Sequence, residues 1–360
     1  YTLLGGPLQL LNITYPLKKF ETQKSNFKSF ESMFGDKGLK NIMNKQKKSY
    51  SYTYKSDIEK EYGRIFSLGE NGTLKKYSPK IASIIDIINK SNGIIMIYSQ
   101  FIGGGCVPLA LALEEAGFGN YMIDNLLNSK KQKDKKYMMI TGDAKLSPKN
   151  KIQEALTKCN SIENKDGNLI KVIIISKAGS EGIDFKNIRQ IHILEPWYNL
   201  NRIGQIEGRG VRNLSHCNLP YKDRNVLVFL HAIHTNNKTH ESVDFYVYRH
   251  AEKKAITIGK ISRLLKEFSV DCLLNNEGHN SLNESNIGEI KENINLSIED
   301  EIKYPLGHKD YSHICDFMTC DYKCKPKNNI SKNVDDSTYN ETFLTMNIDK
   351  ILKKIKDLFK

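Results

Sequence analysis

No run of apolar residues in this 360-residue chain approaches the roughly 18 that a membrane-spanning helix needs, so a membrane role is not expected. No secretory leader is recognisable and cysteine is sparse, at seven residues, which argues against a disulfide framework and for a reducing, intracellular compartment. No internal repeat is found. No G-x-x-x-x-G-K-[ST] segment occurs anywhere, so the chain lacks a phosphate-cradling loop with its lysine and should hold a nucleoside triphosphate poorly by itself. The glycine-rich stretch "FIGGGCVPLALALEE" does not fill that gap. A G-x-G-x-x-G loop starting from Gly103 and Gly105 would need glycine at 108, where Pro108 stands.

Positive charge, in contrast, is abundant. Lys and Arg total 54 against 41 Asp and Glu, a net charge of +13, which favours nucleic acid or another anionic partner. Hydrophobic residues make up 39%, enough for a sizeable core. The chain opens on Tyr1 and closes on "IDKILKKIKDLFK", an amphipathic pattern with no cap after it, and is read as a piece of something longer.

Short apolar runs alternate with helical patterns through the middle of the chain. IIMIYS (94–99), YMMIT (137–141), KVIIIS (171–176), QIHILE (190–195) and NVLVFLHAI (225–233) read as strands. The helical patterns between them predict an α/β domain with a mainly parallel sheet over residues 78–255. Residues 1–77 alternate short apolar pieces with Lys- and Tyr-rich stretches and read as an inter-domain connecting region. A flanking helix is expected over 256–275, a polar tail of low order over 276–347, and the start of a truncated helix over 348–360.

In open parallel sheets functional groups gather at the carboxyl ends of strands. Ser99 and Gln100, Thr141, and Ser176 and Lys177 end three successive strands, and such hydroxyls, amides and amines suit a phosphodiester backbone. The segment "ISKAGSEGIDFKNIRQIHILEPWYNLNRIGQIEGRGVR" then places a cationic helix behind two strands. Gln205, Gly208, Arg209 and Arg212 fall on one face of it, and glycines interrupt a helix whose stability they lower by roughly 1 kcal/mol each, which points to close approach by another group. His313, Cys315, Cys320 and Cys324 in "HICDFMTCDYKCK", with Cys272 completing the set or replacing one ligand, form a candidate Zn2+ site, although their x4 and x3 spacings differ from C-x2-C and the alternative is free, partly buried thiols. Trp197 reads as packing.

"QIEGRGVR", "SKAGSEGIDFKN" and "YSQF" resemble motifs VI, V and IV of superfamily 2 helicases and translocases, in the order and spacing of the second RecA-like domain. Further stretches, among them "PLQLLNITYP", "TGDAKLSPKNKIQEAL" and "SVDCLLN", are similar to the helicases of large DNA viruses, the group of poxvirus early transcription factor and nucleoside triphosphatase subunits. The resemblance implies a RecA-like α/β fold with a helical extension and a partly disordered tail. It also implies ATP with Mg2+ shared with an N-terminal RecA-like domain that carries the Walker A and B motifs, both absent from this sequence. Arg209 and Arg212 become arginine fingers, Gln205 a γ-phosphate contact, and Gly182 and Asp184 contacts to the nucleotide or the inter-domain link. Ser99, Gln100, Thr141, Ser176 and Lys177 become strand-backbone contacts. The implied partner is nucleic acid, DNA ahead of RNA, with transcription-complex subunits, in host cytoplasm or virion. The rival readings are a non-hydrolysing nucleic-acid-binding factor and a structural subunit of a transcription complex.

Overall fold

The computed structural model describes residues 2–17, 30–46, 50–69, 72–127, 134–177, 182–235, 240–298, 300–325 and 341–358. The chain begins with helices α1 (Thr2–Asn12) and α2 (Gly35–Ile42), the antiparallel hairpin β1 (Met43–Lys45) and β2 (Tyr52–Tyr54), and helices α3 (Ser56–Tyr62), α4 (Leu74–Tyr77) and α5 (Pro79–Lys90). Then come β3 (Ile94–Tyr98), a π-helical turn (Ile102–Cys106), α6 (Val107–Glu115), β4 (Gly119–Asn120), β5 (Lys136–Ile140), α7 (Lys149–Cys159), β6 (Val172–Ile175), β7 (Ile188–Ile193), α8 (Leu200–Gly210) and β8 (Leu227–Leu230). Helices α9 (Val243–Phe268), α10 (Cys272–Ser281) and α11 (Glu284–Ile287), the hairpin β9 (Lys291–Asn295) and β10 (Glu301–Pro305), and α12 (Glu341–Leu358) complete it.

Six strands form one parallel sheet in the order β4-β5-β6-β3-β7-β8. The inner strands β3 and β6 are apolar throughout because both faces of the sheet are covered, β7 is buried while carrying Arg189, Gln190 and His192, and successive residues serve different cores. Ile95, Ile97, Tyr137, Met139, Val172 and Ile174 meet α5 and α6 on one side. Ile94, Met96, Met138, Ile140, Ile173 and Ile175 meet Ala155 and Cys159 of α7 and Ile203 and Ile206 of α8 on the other. Helix α5 starts where expected for a Ser-Pro pair: the Ser78 hydroxyl accepts the Ile81 N–H, and Pro79 occupies the first turn, where its missing N–H costs nothing. The mainly parallel α/β sheet expected from the strand pattern is the sheet observed.

Three boundaries differ. Residues 1–77 do not stand apart as a connector: Ile13, Tyr15, Leu39, Ile42, Tyr52, Ile65 and Phe66 join the same core as Ile95 and Ile97. These apolar residues are scattered over short segments in sequence but converge in space. The expected flanking helix at 256 starts thirteen residues earlier, at Val243, where the Ser242 side chain caps it. Past residue 275 the described chain keeps regular structure through α10, α11 and the β9–β10 hairpin; residues 326–340 lie outside the described residues. The stretch from Asn295 to Asp316 is pinned at both ends. Gln190 Nε2 donates to Ser297 Oγ at 2.8 Å and Arg189 to the Asn295 carbonyl at 2.6 Å, while the buried Arg263 guanidinium of α9 donates to Asp316 Oδ2 at 3.1 Å and to the Cys315 carbonyl at 2.7 Å. Gly259 allows this approach, since a Cβ there would overlap the Asp316 carbonyl.

The zinc site is corrected by the same region. Cys315 is bonded to Cys320 and Cys272 to Cys324, so none of these sulfurs is a free thiolate ligand, and His313 is exposed. Among the described residues no group of three or more His, Cys, Asp and Glu is placed to hold a metal. The expectation against disulfides fails with it: Cys272 and Cys324 are 52 positions apart and only the fold brings them together. Among the described residues no helix is long and apolar enough to cross a membrane.

Candidate functional site

The carboxyl ends of β5, β6 and β3 lie side by side, as the sheet order requires. The Ser176 N–H bonds the Ile140 carbonyl at 3.0 Å, and the Ser99 N–H bonds the Ile175 carbonyl at 3.1 Å. The candidate strand-contact residues are therefore neighbours, but three of their side chains face inward. Ser99 is 0% exposed and its hydroxyl donates to Glu195 at 3.0 Å. Thr141 is buried, its hydroxyl engaged with Ser147 Oγ at 3.2 Å and accepting the Asp143 N–H at 3.2 Å, which shapes the turn after β5. Ser176 is also buried. In this conformation those three hydroxyls cannot reach a phosphodiester. Gln100 is half-buried and Lys177 is exposed, so these two of the five face outward.

Behind Ser99 lies a polar cluster that the sequence reading missed. Glu195, two residues past β7, is fully buried and accepts the Gln100 N–H at 2.5 Å, Ser99 Oγ at 3.0 Å and Asn12 Nδ2 at 2.8 Å. Burial dominates over these donors and over nearby Lys80, pushing its carboxyl up to about 7. Lys80 Nζ donates to the Leu194 carbonyl at 3.1 Å and Asn12 Oδ1 at 3.2 Å, and pairs with buried Asp244 at 2.7 Å. Desolvation lowers the Lys80 amine and raises the Asp244 carboxyl, each opposed by the attraction of its partner. The cluster ties α1, α5, α9 and the β3 and β7 ends into one unit. Its only sequence signal is an acid ending an apolar strand, in "HILEPW". The three glycines of "IGGGC" serve the same junction: a Cβ at Gly104 would overlap Gln9, and one at Gly105 would overlap the Ser99 hydroxyl. They are packing glycines of the π-turn.

The second part of the site is the cationic helix α8. Arg212 Nη1 donates to Asp184 Oδ2 at 2.7 Å, and Arg209 Nη1 stands 3.6 Å from Asp184 Oδ1, so one carboxylate bridges both guanidinium groups. Arg212 Nε donates to the Gly208 carbonyl at 2.8 Å. The main chain fixes the same junction: the Phe185 N–H bonds the Arg209 carbonyl at 3.0 Å, and Asn160 Nδ2 bonds the Asp184 carbonyl at 3.0 Å. Gly182 enters this turn at φ +73°, in the left-handed region that favours glycine, with open space where a Cβ would point. Residues 178–181 of the same motif lie outside the described residues. Gln205 is exposed on α8, and Gly204 and Gly208 have nothing within 4 Å of a would-be Cβ, so no group among the described residues makes the close approach expected of them. Gly210 is different, packing on Ile188. Arg202 turns away from this group, its guanidinium 5.8 Å from the ring of half-buried Trp197 and 5.9 Å from that of Tyr98. The structure thus unites Asp184, Arg209 and Arg212, and separately Ser99, Gln100 and Glu195.

Residues 79–214, which hold this parallel sheet from β3 to β7 and the helix α8 behind it, match the family described as helicase conserved C-terminal domain. The chain is 25% identical over 410 residues to the "Putative ATP-dependent RNA helicase L377" of Acanthamoeba polyphaga mimivirus, covering 93% of this chain and 34% of that protein. It is 28% identical over 264 residues to the termination factor NPH-I homolog of African swine fever virus, covering 62% and 37%. Among solved structures, the C-terminal part of the Fun30 ATPase domain aligns with 48% of this chain and 45% of its own at 18% identity and a TM-score of 0.34, too loose a match to place any residue. The chain spans about a third of the length of these two viral relatives. It carries a superfamily 2 helicase C-terminal domain, and that domain is of the type found in large DNA viruses.

Proposed function

We propose that this chain is the C-terminal half of an ATP-dependent nucleic-acid helicase or translocase acting in viral transcription or genome handling, with Arg209 and Arg212 as the charges it contributes to phosphoryl transfer. The observation that carries this reading is the carboxylate bridge at Asp184. Two arginines three residues apart converge on a single anion near the surface, with Arg209 Nε buried and without a hydrogen-bond partner among the described residues. An ion pair this exposed, 48% for Arg212 and 52% for Asp184, contributes about 0–1 kcal/mol. A phosphate group therefore competes easily for the same guanidinium groups, and a planar, permanently charged fork is the right chemistry for one. ATP supplies the transferable phosphoryl group and Mg2+ neutralises part of its charge, both held mainly by a phosphate-binding domain joined to this chain. Gln205, exposed on the same helix, would meet the nucleotide from this side, and Gly182 would shape the turn that positions Asp184.

Nucleic acid binding falls to Gln100 and Lys177 at the strand ends and to the general excess of positive charge. These are phosphate-type contacts, so the preferred substrate, DNA in this reading, is bound without regard to sequence. The test uses the polypeptide that joins this chain to its phosphate-binding domain. ATP hydrolysis should rise when DNA is added, and anisotropy titrations should show affinity falling steeply with salt as counterions are released. Hydrolysis indifferent to DNA and RNA alike, or binding that is flat between low and moderate salt, would overturn the reading; stimulation by RNA alone would overturn the DNA assignment.

A further inference from the structure

Helix α9 runs for 26 residues, and only part of its circumference is covered. Val247, Ala251, Ala255, Gly259 and Arg263 face inward. Ile258, Ile261, Leu264, Leu265 and Phe268 lie open, Leu265 at 69% and Phe268 at 60% exposure, and the apolar row continues through exposed Val270, Leu273 and Leu274. Ile258, Ile261, Leu265 and Phe268 follow one another at intervals of three, four and three residues, the spacing of a helix–helix seam. A continuous apolar row of this length marks a contact surface, whereas scattered exposed residues would not.

Helix α12 carries a matching row. Ile348, Ile351, Ile355 and Leu358 repeat at three, four and three residues with Leu352 beside them, and all are exposed. From residue 348 onward, Asp349, Lys350, Lys353, Lys354, Lys356 and Asp357 occupy its other faces. Most helical stability in proteins comes from packing of an amphipathic face, so the apolar side of α12 calls for a partner. The chain leading to it starts beside the α9 row. The Lys325 N–H donates to the Glu267 carbonyl at 2.7 Å, and Lys325 Nζ pairs with Glu267 Oε2 at 2.9 Å, one residue from Phe268. Residues 326–340 can span up to about 50 Å, and α9 is about 39 Å long. The tether therefore reaches every part of the row.

We propose that α12 packs along the Ile258–Phe268 face of α9 in the same molecule, forming a two-helix seam of about one and a half heptads beside the helicase domain. The tether favours this occupant over a second copy. It holds α12 near the row at an effective concentration in the millimolar range, whereas a second copy must arrive at the concentration of the protein in solution.

Hydrogen exchange read by mass spectrometry on the intact chain tests this at two protein concentrations tenfold apart. The amides of 347–358 should exchange at least about 100-fold more slowly than unprotected amides, equally at both concentrations. Leu265→Asp, at an exposed position that leaves the fold intact, should abolish that protection, and Ile351→Asp should do the same from the other side while the sheet amides keep theirs. Unprotected exchange of α12 in the unaltered chain would overturn the proposal. So would protection that survives Leu265→Asp, or protection that grows with protein concentration, which would assign the row to a second copy.

Discussion

Replacing Glu195 by glutamine should make the stability of this domain less sensitive to pH in a calculable way. Burial raises the Glu195 carboxyl from its usual 4.5 to about 7, despite three hydrogen-bond donors and Lys80 nearby. The folded state therefore keeps its proton over a range where the unfolded chain has released it. The stability this contributes is complete below about pH 4.5 and is lost as pH rises through about 7, on the order of 2–3 kcal/mol between pH 5 and pH 8. Buried His192, lowered to about 3, and His231, lowered to about 4, have the opposite sign: they stay neutral when folded, and stability rises as pH climbs towards the unfolded value near 6.5. Both proteins contain these histidines, so their contribution cancels in the comparison. Any fixed cost of the substitution also cancels, because it shifts both pH values equally. Urea unfolding of the two proteins at pH 5 and pH 8 is the assay. Unaltered protein should lose about 2–3 kcal/mol more than Glu195→Gln on going to pH 8. Equal losses would refute the claim that Glu195 is buried next to Ser99 and too weakly compensated to stay ionised.

Lys80→Met should cost about 3–5 kcal/mol, because it leaves buried Asp244 without its cation, and adding Asp244→Asn should recover much of that loss in urea unfolding. Thiol titration of unreduced, denatured protein should count three cysteines, Cys106, Cys159 and Cys217, and seven after reduction; seven without reduction would contradict the two disulfides. Asp184→Asn should change unfolding stability by less than about 1 kcal/mol, since the pair it breaks is half in water, and a larger loss would mean that Asp184 is a structural anchor.

What could be read from sequence divides along physical lines. The strands β3, β5 and β6 are legible because a sheet covered on both faces favours apolar runs, and β7 is legible from its isoleucines despite Arg189, Gln190 and His192, whereas β4, two residues of Gly and Asn, offers no such run. The cationic helix was legible because its chemistry is local: Gln205, Arg209 and Arg212 are neighbours within three turns. Asp184 entered by motif, and its bridging position became visible only once the main chain joined Phe185 to Arg209. The strand-end hydroxyls show the limit of position alone, which does not tell whether a side chain turns to solvent: Ser99, Thr141 and Ser176 turn inward. Glu195, Asn12, Lys80 and Asp244 escaped because each is an ordinary residue until four distant segments meet. The cysteines were misassigned for the same reason, since Cys272 and Cys324 become partners only through the packing of α10 against the following loop.

The assignment of Arg212 carries the whole account, and one comparison tests it most directly. In the polypeptide that joins this chain to its phosphate-binding domain, turnover and ATP affinity are measured for Arg212→Ala and Arg212→Lys. If Arg212 acts on the transferring phosphoryl group, nucleic-acid-stimulated turnover should fall by roughly 10³ to 10⁵ while ATP affinity stays within a few-fold, because the loss is confined to the transition state. Lysine should restore little, lacking the planar fork. Turnover that survives Arg212→Ala, or ATP affinity that falls in proportion to turnover, would contradict the account and make the cationic face of α8 a nucleic-acid surface.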